Sequence, residues 1–269
     1  MRIARFQAPN GVIHYGIPID RSTASVLTGD LYGDLKETTE TLPVHKWLTP
    51  VDPVNIYCIG LNYRAHAEET GAPIPEQPVI FMKPTTALTH PGEPIPLPAC
   101  CEHGPEVDYE AELTVVIGRA AKNVPVDRAL EHVLGYTCAN DISARRWQKQ
   151  GGGGQWVRGK SFDGFCPLGP VLVTADEIPD PQALRVRCLR NGETMQDGRT
   201  SDMIFTVAEL IAHLSRDTTL LPGTLILTGT PPGVGFARTP PVFLADGDLV
   251  QVEIEGIGRL ENPVRDAVG

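Results

Sequence analysis

Several things are scarce in this 269-residue chain, and each scarcity removes a class of function. There is no run of eighteen apolar residues, and the opening MRIARFQAPNG lacks the apolar core of a secretory leader, so neither a membrane span nor export is expected. Positive charge is also short: 23 Lys and Arg stand against 33 Asp and Glu, a formal net charge of −10. With no basic stripe, sequence-independent nucleic-acid binding, which depends on neutralising phosphates, is excluded.

Cysteine is sparse and unpatterned. Cys58, Cys100, Cys101, Cys138, Cys166 and Cys188 contain no CxxC pair, and Cys100-Cys101 beside His103 has no second pair at zinc-ligand spacing. They are read as reduced, buried thiols of a soluble, cytoplasmic protein. Internal repeats and low-complexity tails are absent too.

What is present suits one large or two modest domains, with 41 % hydrophobic residues to fill a core. Residues 1–50 read as a small β-rich N-terminal domain, with RIARF and GVIHYGIPI joined through Asn10-Gly11, a strong hairpin signal. Residues 51–269 then read as the main domain. Its Pro- and Gly-rich stretch from Ala72 to Pro105 predicts a wandering loop around a short FMKP strand. A capping box at Thr206 and Glu209 opens the best-defined helix, VAELIAHLS. DGDLVQVEIEG alternates Val250, Val252 and Ile254 with Gln251, Glu253 and Glu255, as a half-exposed strand does.

The stretch VDYEAELTVVIG, Val107 to Gly118, organises the chemistry. As one strand it places Tyr109, Ala111, Leu113, Val115 and Ile117 on a core face and Asp108, Glu110, Glu112 and Thr114 on the other. Glu110 and Glu112 then point the same way, about 7 Å apart along the strand. Enclosed carboxylates so close either share a proton or share a cation. Asp141, ending GYTCAND, adds a third carboxylate, and an all-oxygen trio suits Mg²⁺ or Mn²⁺ rather than zinc. Asp141 reads equally as the N-cap of a helix over NDISARRWQ.

His66 and Glu69 form an HxxE pair which, on a helix, share a face, and a carboxylate beside an imidazole raises its basicity. The window Gly154 to Ser161 fits GxxxxGK[ST], but RRWQKQGGG before it and SFDGFCPLGP after it are neither the buried strand nor the helix that a phosphate loop requires. Lys160 is instead read as a cation aimed at a substrate oxyanion or carboxylate.

In order, GLNYRAHAEE, FMKP, VDYEAELTVVIG, GYTCANDISARRWQ, RGKSFDGFCPLGP and LTGTPPGVG resemble the fumarylacetoacetate hydrolase family over roughly residues 51 to 265, most of all the branch called fumarylacetoacetate hydrolase domain-containing protein 2. The resemblance implies a mixed α/β, predominantly β fold, a β-sandwich roll with a small N-terminal domain, in a homodimer. It implies Glu110, Glu112 and Asp141 as ligands of Mg²⁺ or Mn²⁺, with His66 and Glu69 as a water-activating dyad on a lid. Lys160 would serve the oxyanion, with Tyr63, Arg145, Gln148 and Thr230 around a small 2-oxo or 2,4-dioxo acid. Cleavage of a carbon–carbon bond in an acylpyruvate-like substrate ranks first among its activities. Oxaloacetate decarboxylation or keto-enol tautomerisation ranks second, and a non-catalytic oxo-acid binder last.

Overall fold

The hairpin expected at Asn10-Gly11 is present in the computed structural model, which describes residues 1–267. Strands β1 (Arg2–Gln7) and β2 (Ile13–Pro18) pair antiparallel; Gly11 takes a φ of 84°, and the Val12 amide donates to Asn10 Oδ1 at 3.0 Å. Asn-Gly forms this reversal cheaply because glycine pays no Cβ penalty at positive φ. Strands β3 (Thr23–Gly29), β4 (Leu35–Pro43) and β5 (Lys46–Leu48) complete the N-terminal unit around Phe6, Ala8, Ala24 and Val26.

The remaining chain supplies β6 (Asn55–Gly60), α1 (Arg64–Glu69), β7 (Val79–Met82), β8 (Leu88–Thr89), β9 (Ile95–Leu97), β10 (Val107–Asp108) and β11 (Ala111–Ile117). Then come β12 (Val133–Asn140), β13 (Ser143–Ala144), α2 (Arg145–Lys149), β14 (Cys166–Thr174), β15 (Arg185–Arg190) and β16 (Glu193–Arg199). Helix α3 (Val207–Leu214), β17 (Thr224–Leu227), β18 (Leu249–Ile254) and β19 (Gly258–Asp266) finish it. One long sheet runs β4-β3-β2-β1-β14-β12-β11-β17-β6-β7, and a second runs β16-β15-β18-β19-β9. Because β1 pairs with β14 as well as β2, the first fifty residues extend the main sheet rather than standing off it. The mixed, predominantly β fold class is as expected, and among the described residues no helix is long and apolar enough to cross a membrane.

Local signals were reliable. Thr206 caps α3, its Oγ1 accepting from the Glu209 amide at 3.3 Å while Glu209 Oε2 accepts from the Thr206 amide at 2.7 Å. Val207, Leu210, Ile211 and Leu214 bury one helical face.

Three expectations need correction. The Val107 to Gly118 segment is not one strand with a single core face: it breaks at Tyr109-Glu110, and all seven residues of β11, on both faces, are buried. The reason is position, since β11 lies between β12 and β17 and the second sheet covers it through β15 and β18. Gln251, placed on a solvent face, is also buried and donates to Glu261 Oε2 at 2.6 Å. Cys58, Cys138, Cys166 and Cys188 are buried thiols, but Cys100 is exposed and Cys101 half-buried.

Candidate active site

Strand pairing explains why distant acids meet. Ala111 lies opposite Asn140 in the β11–β12 ladder, which puts Glu110 and Glu112 at the same end of the sheet as Asp141. Two further bonds fix that end: the Asp141 amide donates to the Glu110 carbonyl at 2.8 Å, and the Glu110 amide donates to Asn140 Oδ1 at 2.9 Å. One carboxylate oxygen from each of Glu110, Glu112 and Asp141 lies within 4.8 Å of the others, and all three residues are buried.

Buried carboxylates so close must be neutralised, and most of the neutralising charge comes from outside the strand. Lys160, a residue 1 % exposed, donates through Nζ to Glu110 Oε2 at 2.6 Å and to Asp141 Oδ2 at 2.7 Å. Arg145 Nη1 donates to Glu110 Oε1 at 2.7 Å and to Gln148 Oε1 at 3.0 Å. Its Nε donates to Asp108 Oδ2 at 2.8 Å. Lys83 stands on the far side of Asp141, with Nζ 2.7 Å from Oδ1, and donates to the carbonyls of Ile142, Lys160 and Phe165 at 3.1, 2.6 and 2.8 Å.

The count leaves a deficit. Four buried carboxylates (Asp108, Glu110, Glu112, Asp141) face three buried cations (Lys83, Arg145, Lys160), so the cluster is one positive charge short. The shortfall falls on Glu112, whose Oε2 accepts only a backbone bond, from Gly229 at 2.7 Å. Burial, and then the charges of Asp141 and Glu110, push the Glu112 carboxyl well above its ordinary range. Burial also acts to raise Glu110, but Lys160 and Arg145 more than reverse it and hold that carboxyl far below its usual value. Burial opposes the Lys160 charge, yet Asp141 and Glu110 outweigh it and raise its pKa. A hard-oxygen donor set with an uncompensated buried carboxylate fits a divalent cation.

Helix α1 brings the histidine. His66 Nδ1 lies 3.2 Å from Glu69 Oε2, the one-turn geometry expected of HxxE, and Glu69 Oε1 accepts from the Gly233 amide at 2.9 Å. The helix has no side-chain cap from Tyr63; Asp202 supplies one from afar, its Oδ2 accepting from the Ala65 amide at 3.1 Å. His66, Glu110, Glu112, Arg145, Gln148, Lys160 and Thr230 line one cavity of about 200 Å³. Phe81, Trp156, Phe236 and Lys149 are among the other residues of its walls.

Other expected residues sit differently. Tyr63 is fully buried and is not among the cavity's lining residues, because it precedes α1 and bridges to Met203 beneath it. Asp141 is not a helix N-cap: α2 begins after Ala144, and Glu106 Oε2 takes up the Arg146 amide at 2.7 Å. Asp141 belongs to the trio but is not among the residues that line the cavity. The Thr230 hydroxyl donates to the Ala111 carbonyl at 2.9 Å and accepts from Gln196 Nε2 at 2.7 Å, so its proton is engaged within the protein. The Arg145 guanidinium is likewise taken up by Asp108, Glu110 and Gln148.

Sequence reasoning missed Lys83 and Asp108 as parts of the site. Asp108 is fully buried; its Oδ1 accepts from the Tyr109 and Gly235 amides at 2.9 and 2.8 Å, and its Oδ2 from the Phe236 amide at 3.0 Å. It thereby ties the loop bearing Phe236 to Arg145. A lysine directly after the apolar strand segment VIFM was the one available sign of Lys83.

Known proteins agree with this architecture. A family model described as fumarylacetoacetate (FAA) hydrolase C-terminal matches residues 55–265, and one described as Rv2993c-like, N-terminal matches residues 1–50. The chain belongs to the fumarylacetoacetate hydrolase family. Among its relatives, "Oxaloacetate tautomerase fahd2, mitochondrial" of Xenopus laevis is 50 % identical over 218 residues, 81 % of this chain and 67 % of that protein. "Oxaloacetate tautomerase FAHD2A, mitochondrial" of Homo sapiens is 48 % identical over 219 residues, 81 % of this chain and 69 % of that one. Among solved structures, 5-carboxymethyl-2-hydroxymuconate delta-isomerase from Mycobacterium smegmatis superposes with a TM-score of 0.86 at 40 % identity, covering 99 % of this chain and 100 % of that one.

Proposed function

We propose that this protein is a divalent-metal-dependent keto-enol tautomerase of a small 2-oxo acid, with oxaloacetate as the leading substrate. One observation carries the reading: His66, held by Glu69, lines the same small cavity as Glu110 and the cation-free Glu112. The names of the relatives favour tautomerisation or isomerisation over the carbon–carbon hydrolysis ranked first from sequence.

Glu110, Glu112 and Asp141 would hold Mg²⁺ or Mn²⁺, whose chemistry is Lewis acidity toward the oxygens of the oxo acid. The chain's own groups then handle the proton. With Nδ1–H donating to Glu69, His66 presents Nε2 as a base, takes a proton from C3 and returns it to the 2-oxo oxygen as the C2–C3 double bond forms. No water is consumed and nothing leaves. Lys160 spends two of its three N–H bonds on Glu110 and Asp141, leaving one for the oxygen that gains charge. Gln148 has its amide oxygen fixed by Arg145, which turns its NH₂ into a donor toward substrate.

A second reading, hydrolysis of an acylpyruvate, draws on the same His66–Glu69 pair acting on a water. The deciding experiment follows the metal-loaded protein with oxaloacetate, acetylpyruvate and fumarylpyruvate. The enol band is read in the ultraviolet and pyruvate by a coupled assay. Faster enol–keto exchange of oxaloacetate without pyruvate is expected, and it should fall at least about a hundredfold in His66→Ala, as loss of a general base does. Pyruvate formation that outpaces exchange would move the assignment to a decarboxylase or a hydrolase.

A further inference from the structure

Three cationic side chains line the cavity, and two of them are already engaged. Lys160 bridges Glu110 and Asp141, and Arg145 is held by Asp108, Glu110 and Gln148. Lys149, on the last turn of α2, is different: among the described residues no carboxylate lies within ion-pair distance of its ammonium. Nζ instead rests over the face of Phe236, 3.8 Å from the ring centre, while Arg145 covers the same ring at 4.4 Å.

Phe236 is no accidental neighbour, because the buried Asp108 fixes its backbone amide and Arg145 together. The ammonium is therefore parked at the cavity wall on a contact weaker than the charge-assisted hydrogen bond a carboxylate would offer. We infer that Lys149 is a specificity-determining residue that seats a second carboxylate, so that the substrate is a dicarboxylic 2-oxo acid. The inference rests on the oxaloacetate reading above and adds to it the residue that seats the distal carboxylate.

Charge points the same way: Lys149 adds to the cavity wall a positive charge that no carboxylate of the described residues answers at ion-pair distance. Burial, and secondarily Arg145, lower the Lys149 pKa, in keeping with a cation that lacks its counter-ion.

The test uses a matched pair of ligands differing only at the distal group: oxaloacetate and 2-oxobutyrate, in which a methyl replaces the carboxylate. Binding to the Mn²⁺-loaded protein is read by tryptophan fluorescence, since Trp156 lines the cavity, and so needs no turnover. Wild type should prefer oxaloacetate. Lys149→Met should weaken oxaloacetate about 10- to 100-fold while moving 2-oxobutyrate less than about twofold, and Lys149→Arg should retain most of the preference. Equal weakening of both ligands, no weakening of either, or no preference in wild type overturns the inference. If the preference depends on Lys149 yet oxaloacetate is bound without being tautomerised, the fault lies with the proposed reaction and not with the residue.

Discussion

Replacing Lys83 with methionine probes the least visible part of the site. The side chain is 3 % exposed, and its ammonium lies 2.7 Å from Asp141 Oδ1 while donating to three backbone carbonyls. Methionine fills similar space with a flexible apolar chain, so packing changes little and the lost charge dominates. Removing one partner of a buried ion pair costs about 3–5 kcal/mol, and each buried carbonyl left unsatisfied adds roughly 1–3 kcal/mol. These groups share one donor, so the penalties do not add in full, and a loss of about 5 kcal/mol is expected. That is a large part of the 5–15 kcal/mol typical of a folded domain. At about 2–4 °C per kcal/mol for chains approaching this length, thermal unfolding followed by circular dichroism should shift down by about 10–20 °C. A Lys83→Met protein melting within about 2 °C of wild type would refute the reasoning, because the buried charge of Asp141 would then need no anchor.

Two further predictions concern structure away from the cavity. Thr206→Ala should lower stability by about 1 kcal/mol in urea unfolding, with an unchanged m value, because only the α3 capping box is lost. Asp248 accepts from Arg190 Nε and the Ala245 amide on Oδ2 and from Asn191 Nδ2 on Oδ1; burial opposes its charge, but these donors outweigh it and lower its pKa. A carboxyl whose folded pKa lies below its unfolded value of 3.8 stabilises the fold above that pH, and the contribution fades as pH falls below it. Asp248→Asn should therefore cost about 2 kcal/mol at neutral pH, with the gap to wild type narrowing below about pH 4. A gap that widens on acidification would contradict this.

What could be read in the sequence was mostly what is local. The Asn10-Gly11 hairpin, the Thr206–Glu209 capping box and the His66–Glu69 pair each depend on residues within a few positions of one another, and each formed. The acid trio was legible because its members end neighbouring strands. What periodicity could not distinguish was a solvent face from a second buried face filled by paired charges. The alternation of Glu110 and Glu112 looks the same in both, and their partners Arg145 and Lys160 lie 35 and 50 residues from Glu110. Lys83 was opaque for the same reason, since it meets Asp141 and the Phe165 carbonyl only after β7 and β14 are in place. Tyr63 was misplaced because adjacency to a helix in sequence does not say which side of that helix faces the cavity.

The central claim is that Glu110, Glu112 and Asp141 share a divalent ion, and Glu112→Gln tests it most directly because Glu112 has no cationic partner whose loss would confuse the result. Calorimetric titration with Mn²⁺, with Mg²⁺ as competitor, should show one ion per chain for wild type. Affinity should fall at least about a hundredfold in Glu112→Gln, more than groups merely behind metal ligands contribute, while the metal-free variant melts no lower than wild type. Equal Mn²⁺ affinity in the two proteins, or none in wild type, would contradict the account.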